Sequence, residues 1–168
     1  MNRWLHILRH RVWDETDTRR AIGPEVVRRL QQRVQASERR HSGEIRICVE
    51  AGLPLSYLWR GLSARDRAVT LFGKLRVWDT EHNNGVLIYL LLAEHAIEIV
   101  ADRGLNAHVE PSQWAAIVAT MRAAFRARRH EQGLDAAIDA VDALLQQHFA
   151  LAAGQDNPDE LPDAPDLR

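Results

Sequence analysis

The sequence predicts an α/β protein, specifically a three-layer α/β/α sandwich with a small mixed sheet. Residues 44–50 (EIRICVE) and 96–102 (AIEIVAD) alternate between apolar and polar side chains, as strands do. Residues 85–92 (GVLIYLLL) form a nearly continuous apolar run, which is typical of a central strand covered on both faces. Amphipathic segments precede, separate and follow these strands, so helices are expected to pack on the sheet.

The first forty residues contain one weak and one clear helical signal. Residues 1–20 mix apolar and basic side chains, which predicts a short amphipathic helix or an irregular segment without clear boundaries. Gly23-Pro24 then opens a better-defined helix, because proline is favoured in a first turn. This helix should end before His41.

The connections between the strands predict their directions. Ser63 is a good N-cap, with Asp66 three residues later, so a helix should join the first strand to the second. Such a crossover makes the first two strands parallel. The second and third strands are separated only by a short connection at Glu94-His95, which predicts an antiparallel hairpin.

Two helices and a polar tail complete the chain. Pro111 starts an amphipathic helix, and Gly133 is expected to separate it from a second helix that runs to about residue 149. The tail after Gly154 is rich in acidic residues and proline, so no regular structure is expected there. The predicted organisation is a basic segment over 1–20, one domain over 21–150 and an acidic tail over 151–168.

Composition narrows the function classes. The chain has 168 residues, a formal net charge of −1 and a single cysteine, Cys48, so neither an internal disulfide nor a thiolate cluster can form. The balanced charge and the placement of aromatic residues on apolar stripes give nucleic-acid binding little support. Apolar windows are too short to cross a bilayer, and no standard secretory signal precedes them, so the expected location is the cytoplasm.

The strongest candidate site is the polar stretch DTEHNNG over residues 79–85. A hairpin turning near residues 94–95 would place Asp102 opposite about residue 87 and beside the Asn-Asn-Gly turn. A parallel first strand would bring Glu44 to the same end of the sheet. Oxygen donors suited to calcium or magnesium would then share one rim: Glu44, Asp79, Glu81, Asn83, Asn84 and Asp102.

The same stretch is also what a turn requires. Asparagine tolerates a left-handed backbone, glycine permits it, and aspartate and threonine bond to their own main chain. The spacing does not match an EF-hand loop. A turn and a cation site therefore both remain open from the residues alone.

The sequence resembles the TPM domain family over about residues 40–149. The segments that carry the resemblance are GEIRICVE, SARDRAVTLFGKLRVWDTEHNNGVLIYLLL, EIVADRGL and the helix that begins near Trp114. The most specific part is the polar turn ending in Asn-Gly, followed by VLI and the hairpin to ADRG. The chain is similar to a bacterial branch without a secretory signal or membrane anchor, so a periplasmic location is not implied.

The resemblance implies an α/β/α sandwich, and some relatives are described as binding divalent cations such as calcium. It gives weight to calcium or magnesium at Asp79, Glu81, Asn84 and Asp102. Asn84 stands where the family has an acidic residue before the glycine, which weakens binding of a hard cation by one charge.

Two functions from different classes follow. The favoured one is a non-catalytic binding module, tuned by a divalent cation, that acts in protein-complex or envelope maintenance. A LemA-type protein is a partner by resemblance only, and Trp4 and Trp13 in the basic N-terminal segment suggest peripheral membrane contact. The alternative is a weak metal-dependent acid phosphatase, as described for a plant relative, with Arg103 near the phosphate. No nucleophile and base pair is evident, so catalytic residues are not assigned.

Overall fold

The structure is a computed structural model that describes residues 3–152 and 154–168, and it confirms the predicted α/β sandwich. The N-terminal helices are α1 (Arg3–Arg11), α2 (Glu15–Ala21) and α3 (Pro24–Glu38). Strand β1 (Ile45–Glu50) is followed by α4 (Leu55–Arg60), α5 (Ala64–Lys74), β2 (Val86–Leu91), a 3₁₀ turn (Leu92–Glu94) and β3 (Ala96–Ala101). The remaining elements are α6 (Arg103–Asn106), α7 (Pro111–Arg126), α8 (His130–Phe149) and β4 (Asp166–Leu167).

The sheet is mixed, in the order β3-β2-β1-β4. β1 and β2 are parallel, as the Ser63 crossover predicts, and β2 and β3 form the predicted antiparallel hairpin. The capping box that starts α5 is present: Ser63 Oγ accepts from the Asp66 amide at 3.2 Å, and Asp66 accepts from the Ser63 amide at 2.8 Å.

Both faces of the sheet are covered by helices. The odd-numbered β1 residues Ile45, Ile47 and Val49 pack with α3, α7 and α8, while Cys48 faces the opposite layer of α4 and α5. Every residue of β2 is buried, which confirms its prediction as a central strand. Burial of these apolar side chains is the main stabilising contribution to such a sandwich.

Gly133 does not separate two helices as predicted. It lies inside α8, which already begins at His130, and α7 ends at Arg126. A Cβ at Gly133 would lie 3.1 Å from ring atoms of Phe125. The glycine therefore permits close packing between α7 and α8, and a single sequence does not distinguish this role from a helix break.

The acidic tail was predicted to lack regular structure, and this is wrong for its last residues. Asp166 and Leu167 pair in parallel with Cys48 and Val49 of β1, which forms the fourth strand. The Arg46 guanidinium also donates to the carbonyls of Pro162 and Ala164. A two-residue strand has no sequence period, so only these long-range contacts reveal it.

The N-terminal segment packs on the domain. It forms α1 and α2, Ile7 is buried, and Trp13 is half-buried against the core. His10 is also buried, with Nδ1 accepting from the Leu53 amide at 3.1 Å. The side chain of Trp4 lies outside the described residues. Within residues 3–152 and 154–168, no helix combines the length and apolar character needed to span a membrane.

Candidate functional site

The site lies at the end of the sheet where β1 and β2 begin and β3 ends. Ile45 pairs with Val86, and Val86 pairs with Ala101, so Glu44, Gly85 and Asp102 form a row just beyond the three strands. Asp102 is therefore opposite Gly85 rather than the predicted residue 87, because the connection from 92 to 95 is centred one residue earlier. We call Glu44, residues 79–85 and Asp102 the polar rim.

The stretch over residues 79–85 is a turn, as one of the two interpretations predicts. Asn83 has a φ of 52°, in the left-handed region that asparagine tolerates. A Cβ at Gly85 would overlap the Val77 carbonyl, so the backbone can approach this closely only without a side chain. Turn geometry thus explains two residues of the motif, but it leaves Asn84 unexplained.

Main-chain hydrogen bonds join this turn to the residues after β3. The Asp102 amide donates to the Gly85 carbonyl, and the Gly104 amide donates to the Asn83 carbonyl, both at 2.9 Å. Arg103 Nε donates to Asn83 Oδ1 at 3.2 Å. The predicted proximity of Asn83-Asn84-Gly85 to Asp102-Arg103-Gly104 is therefore confirmed.

Asn84 and Asp102 each present a buried oxygen that has no hydrogen-bond partner within residues 3–152 and 154–168. Asn84 is fully buried, and its Nδ2 donates to Ser42 Oγ at 3.2 Å, but Oδ1 accepts no bond. Asp102 Oδ1 accepts from the Arg103 amide at 2.7 Å, whereas Oδ2 is buried and unpartnered. Leaving such an oxygen unsatisfied costs about 1–3 kcal/mol, so both atoms are set up to contact something further.

Asp79 and Glu81 are arranged differently. Both residues are exposed, and the Asp79 carboxylate forms an ion pair with Arg76. The Glu81 amide donates to the Glu160 carboxylate at 3.2 Å. Among the residues that the structure describes, no three His, Cys, Asp or Glu side chains are grouped as metal ligands. The assignment of all four predicted residues as ligands stays a prediction.

A buried acidic cluster, which the sequence did not indicate, lies beside Glu44. Glu38 and Asp163 are each 8% exposed, Glu44 is fully buried, and Asp163 Oδ1 has no hydrogen-bond partner. Burial raises the pKa of Glu38 to about 10, and the nearby Glu44 carboxylate adds to the rise. Burial likewise raises the pKa of Glu44 to about 7, and the charge of the nearby Asp159 carboxylate adds to the rise. Burial and crowding of these carboxyl groups therefore keep Glu38 protonated at neutral pH.

The tail completes this cluster. Glu44 Oε1 accepts from Asn157 Nδ2 and Oε2 accepts from the Leu161 amide, each at 3.3 Å. These partners are separated from Glu44 by 113 and 117 residues, so no local motif could have placed them there. The excess of acidic residues in the tail was the only sequence signal available.

The donor set at the rim fits a hard divalent cation in chemical character. Amide and carboxylate oxygens are the ligands that calcium and magnesium prefer, and two of those at the rim lack partners among the described residues. The rim can therefore attract and hold positive charge. Arg103 is exposed at the same edge, where its guanidinium could contact an anionic group.

Comparison with known proteins places these features in a family context. The family model described as TPM domain matches residues 16–144 of the chain. No curated protein sequence matches the chain.

Solved structures with a similar fold include two bacterial proteins. The BA42 protein from the psychrophilic bacterium Bizionia argentinensis, solved by NMR, has a TM-score of 0.75 and 26% sequence identity, covering 86% of this chain and 94% of that one. The N-terminal domain of a protein from P. gingivalis has a TM-score of 0.55 and 21% identity, covering 72% and 76% of the two chains. The second likeness supports the fold alone.

Proposed function

Because the chain belongs to the TPM domain family, we propose that it is a non-catalytic binding module of the cytoplasm. It holds a divalent cation such as calcium or magnesium at the polar rim and binds a protein partner. Its role is to maintain a protein complex or the cell envelope.

The observation that carries the cation site is the pair of unpartnered oxygens, Asn84 Oδ1 and Asp102 Oδ2. A cation bound at the rim would supply the contact that such an oxygen lacks, and the Asp102 carboxylate would attract it. Glu81 is exposed in the adjoining loop and could supply a further carboxylate. Asp79 could join only after leaving its ion pair with Arg76.

Calorimetric titration of calcium and magnesium into metal-free protein tests this site. Wild type should bind in the micromolar to millimolar range, and Asp102→Ala should lose at least about tenfold in affinity. Asp79→Ala and Glu81→Ala determine which loop carboxylates contribute. Asp139→Ala is the matched control, because Asp139 is exposed on α8 and pairs with Arg33. Absence of cation binding to wild type would refute the cation site.

The protein partner is tested separately from the cation. A LemA-type protein is the first partner to examine, on the basis of family resemblance, by gel filtration of a mixture with and without calcium. A second surface to examine is formed by Leu8 of α1 and by Val12, which follows the helix. These side chains are 59% and 78% exposed, and Arg9 and Arg11 lie between them in the sequence. Such a face suits peripheral contact with an anionic membrane. A monomer that associates with neither protein nor vesicles would contradict the binding role.

The second candidate function is weak metal-dependent acid phosphatase activity, and the position of Arg103 favours it. Its Nε donates to Asn83 Oδ1, which anchors the side chain at the polar rim, so its guanidinium could orient a phosphate there. The cation, when bound, would offset negative charge on the phosphoryl group. Hydrolysis of an aryl phosphate that is lost in Asp102→Ala and in Arg103→Ala would favour catalysis. Unchanged hydrolysis in both variants would exclude catalysis at the polar rim.

A further inference from the structure

We propose that the free edge of β3 binds an extended segment of a partner protein that alternates apolar and acidic residues and adds a fifth strand to the sheet. This inference deepens the proposed binding function, on which it rests, by giving the surface and the kind of partner.

The first support is the hydrogen-bonding pattern of β3. β3 is at the end of the strand order and pairs only with β2. The Asp102 amide donates inward to Gly85, so in an antiparallel pair the outward main-chain groups belong to Ile97, Ile99 and Ala101. Their carbonyls are partly used: Ile99 accepts from Arg65 Nη1, and Ala101 accepts from Asn106 Nδ2 at 2.6 Å. The three outward amides have no acceptor among the described residues, so they can bind the carbonyls of an added strand.

The second support is a groove along this edge. The β3 groove has a volume of about 600 Å³ and lies between β3 and one face of α7. On the α7 side it is lined by an apolar wall of Trp114, Ala115, Val118 and Ala119. Trp114 Nε1 is buried and has no hydrogen-bond partner in the part of the chain that the structure describes. Every second side chain of an added strand would face this apolar wall, and a carbonyl of the strand could accept from the indole.

The third support is charge, which determines the chemistry of the occupant. Arg65 and Arg122 line the groove, and only Glu98 lies there as an acidic counterpart. Arg65 approaches Glu98 at 3.6 Å, whereas Arg122 has no ion-pair partner in the part of the chain that the structure describes. The net positive charge is complementary to acidic side chains at the positions of the strand that do not face α7.

Edge strands of natural proteins are often shielded against unwanted pairing. Here Arg65 and Asn106 shield two carbonyls but leave the neighbouring amides open. The edge is therefore available to a strand that supplies acceptors and acidic side chains, and less suited to an uncharged one. Asp102 follows Ala101 directly, so the groove begins next to the polar rim.

The experiment uses a phage-displayed library of random dodecapeptides selected on the full-length wild-type protein. The enriched peptides should alternate apolar and acidic residues. The best peptide, labelled with fluorescein, is then titrated into wild type, Ala119→Trp, which fills the groove, and Arg122→Glu. Each variant should weaken binding by at least about tenfold. Ala116→Trp is the matched control, because Ala116 is exposed on α7 but does not line the groove, and it should bind as wild type does.

Amide hydrogen exchange distinguishes strand addition from other binding. In the free protein, the Ile97, Ile99 and Ala101 amides should exchange faster than those of Glu98 and Val100, and the peptide should protect these three. Equal binding to Ala119→Trp and Ala116→Trp, protection of none of the three amides, or enrichment of no peptide would overturn the proposal. Concentration-dependent dimerisation that protects them without peptide would also overturn it, in favour of a second copy.

The cation titration with Asp102→Ala is read independently of these results. Cation binding without any peptide binding removes the β3 groove but leaves the rim intact. Peptide binding without cation binding would support the β3 groove and refute the cation site at the rim.

Discussion

Buried polar side chains lie near both ends of β1, but the two groups differ in how completely they are hydrogen-bonded. At the carboxyl end, Glu50 accepts from Arg67 at 2.9 and 2.6 Å and from the Tyr89 hydroxyl at 2.7 Å. We call these three residues the Glu50 cluster. At the other end, the polar rim contains unpartnered oxygens on Asn84 and Asp102, next to buried carboxyl groups that repel one another.

This difference helps to distinguish polar side chains that stabilise the fold from polar side chains that bind a ligand. None of the three side chains in the Glu50 cluster has a buried polar atom without a partner, so the cluster is complete within the fold. The rim carries buried oxygens that lack a hydrogen-bond partner among the described residues, which is expected where something outside the protein completes the contacts. Substitutions at the first end should therefore change stability, and those at the second should change binding.

The largest expected effect is from Glu50→Ala. This change leaves the buried Arg67 charge without its partner, so the free energy of unfolding should fall by about 3–5 kcal/mol in urea titrations. Asp102→Ala is the control from the rim and should cost no more than about 1 kcal/mol, because it removes only a cap of a short helix. An equal loss of unfolding free energy in both variants would contradict the proposed difference between the two ends of β1.

A pH dependence is expected from Glu44. Its pKa in the folded protein is about 7, above the ordinary value of 4.5, so the folded state holds the proton more tightly. The stabilising contribution is complete below pH 4.5 and is lost as the pH rises to about 7. Between these values, wild type should lose on the order of 2 kcal/mol more of its free energy of unfolding than Glu44→Gln.

Urea titrations across this pH range measure the two slopes. The comparison below pH 4.5, where both side chains are neutral, gives the cost of the substitution itself. Parallel slopes for the two proteins would mean that Glu44 does not titrate in this way.

Asn84→Asp tests whether the rim binds a cation through this position. The added charge should raise affinity for calcium by about tenfold in calorimetric titrations. Without calcium, the buried carboxylate should lower the melting temperature. Asn83→Asp adds the same charge in the same turn, but its oxygen already accepts from Arg103, so it should raise the affinity for calcium less. A calcium affinity unaffected by Asn84→Asp would place the ligands elsewhere.

The smallest effect is expected from Arg46→Met, which loosens the tail at the rim. It removes the donors to the Pro162 and Ala164 carbonyls and should cost only about 1 kcal/mol of global stability. Exchange should accelerate at the Arg168 amide, which donates to Val49, and at the Leu161 amide, which donates to Glu44. The exposed Arg60→Met should leave both rates unchanged. Unaltered exchange in Arg46→Met would show that other contacts hold the tail.

Local signals predicted most of the fold. The alternation in EIRICVE placed Ile45, Ile47 and Val49 on one face, and the capping pair Ser63 and Asp66 located the start of α5. These predictions succeeded because side-chain period and helix capping depend on residues only a few positions apart. Gly133 was misread, since a glycine required by packing looks the same in sequence as one that ends a helix.

The candidate site also has one part that local sequence predicted and another that only the tertiary structure reveals. The sequence alone determined that the Asn-Asn-Gly turn lies beside Asp102, because hairpin pairing follows from short connections. Only the tertiary structure decided which oxygens lack partners, and that the tail buries Glu44 from more than a hundred residues away. Burial and hydrogen-bond satisfaction depend on every element that packs around a group, and no local pattern encodes that environment.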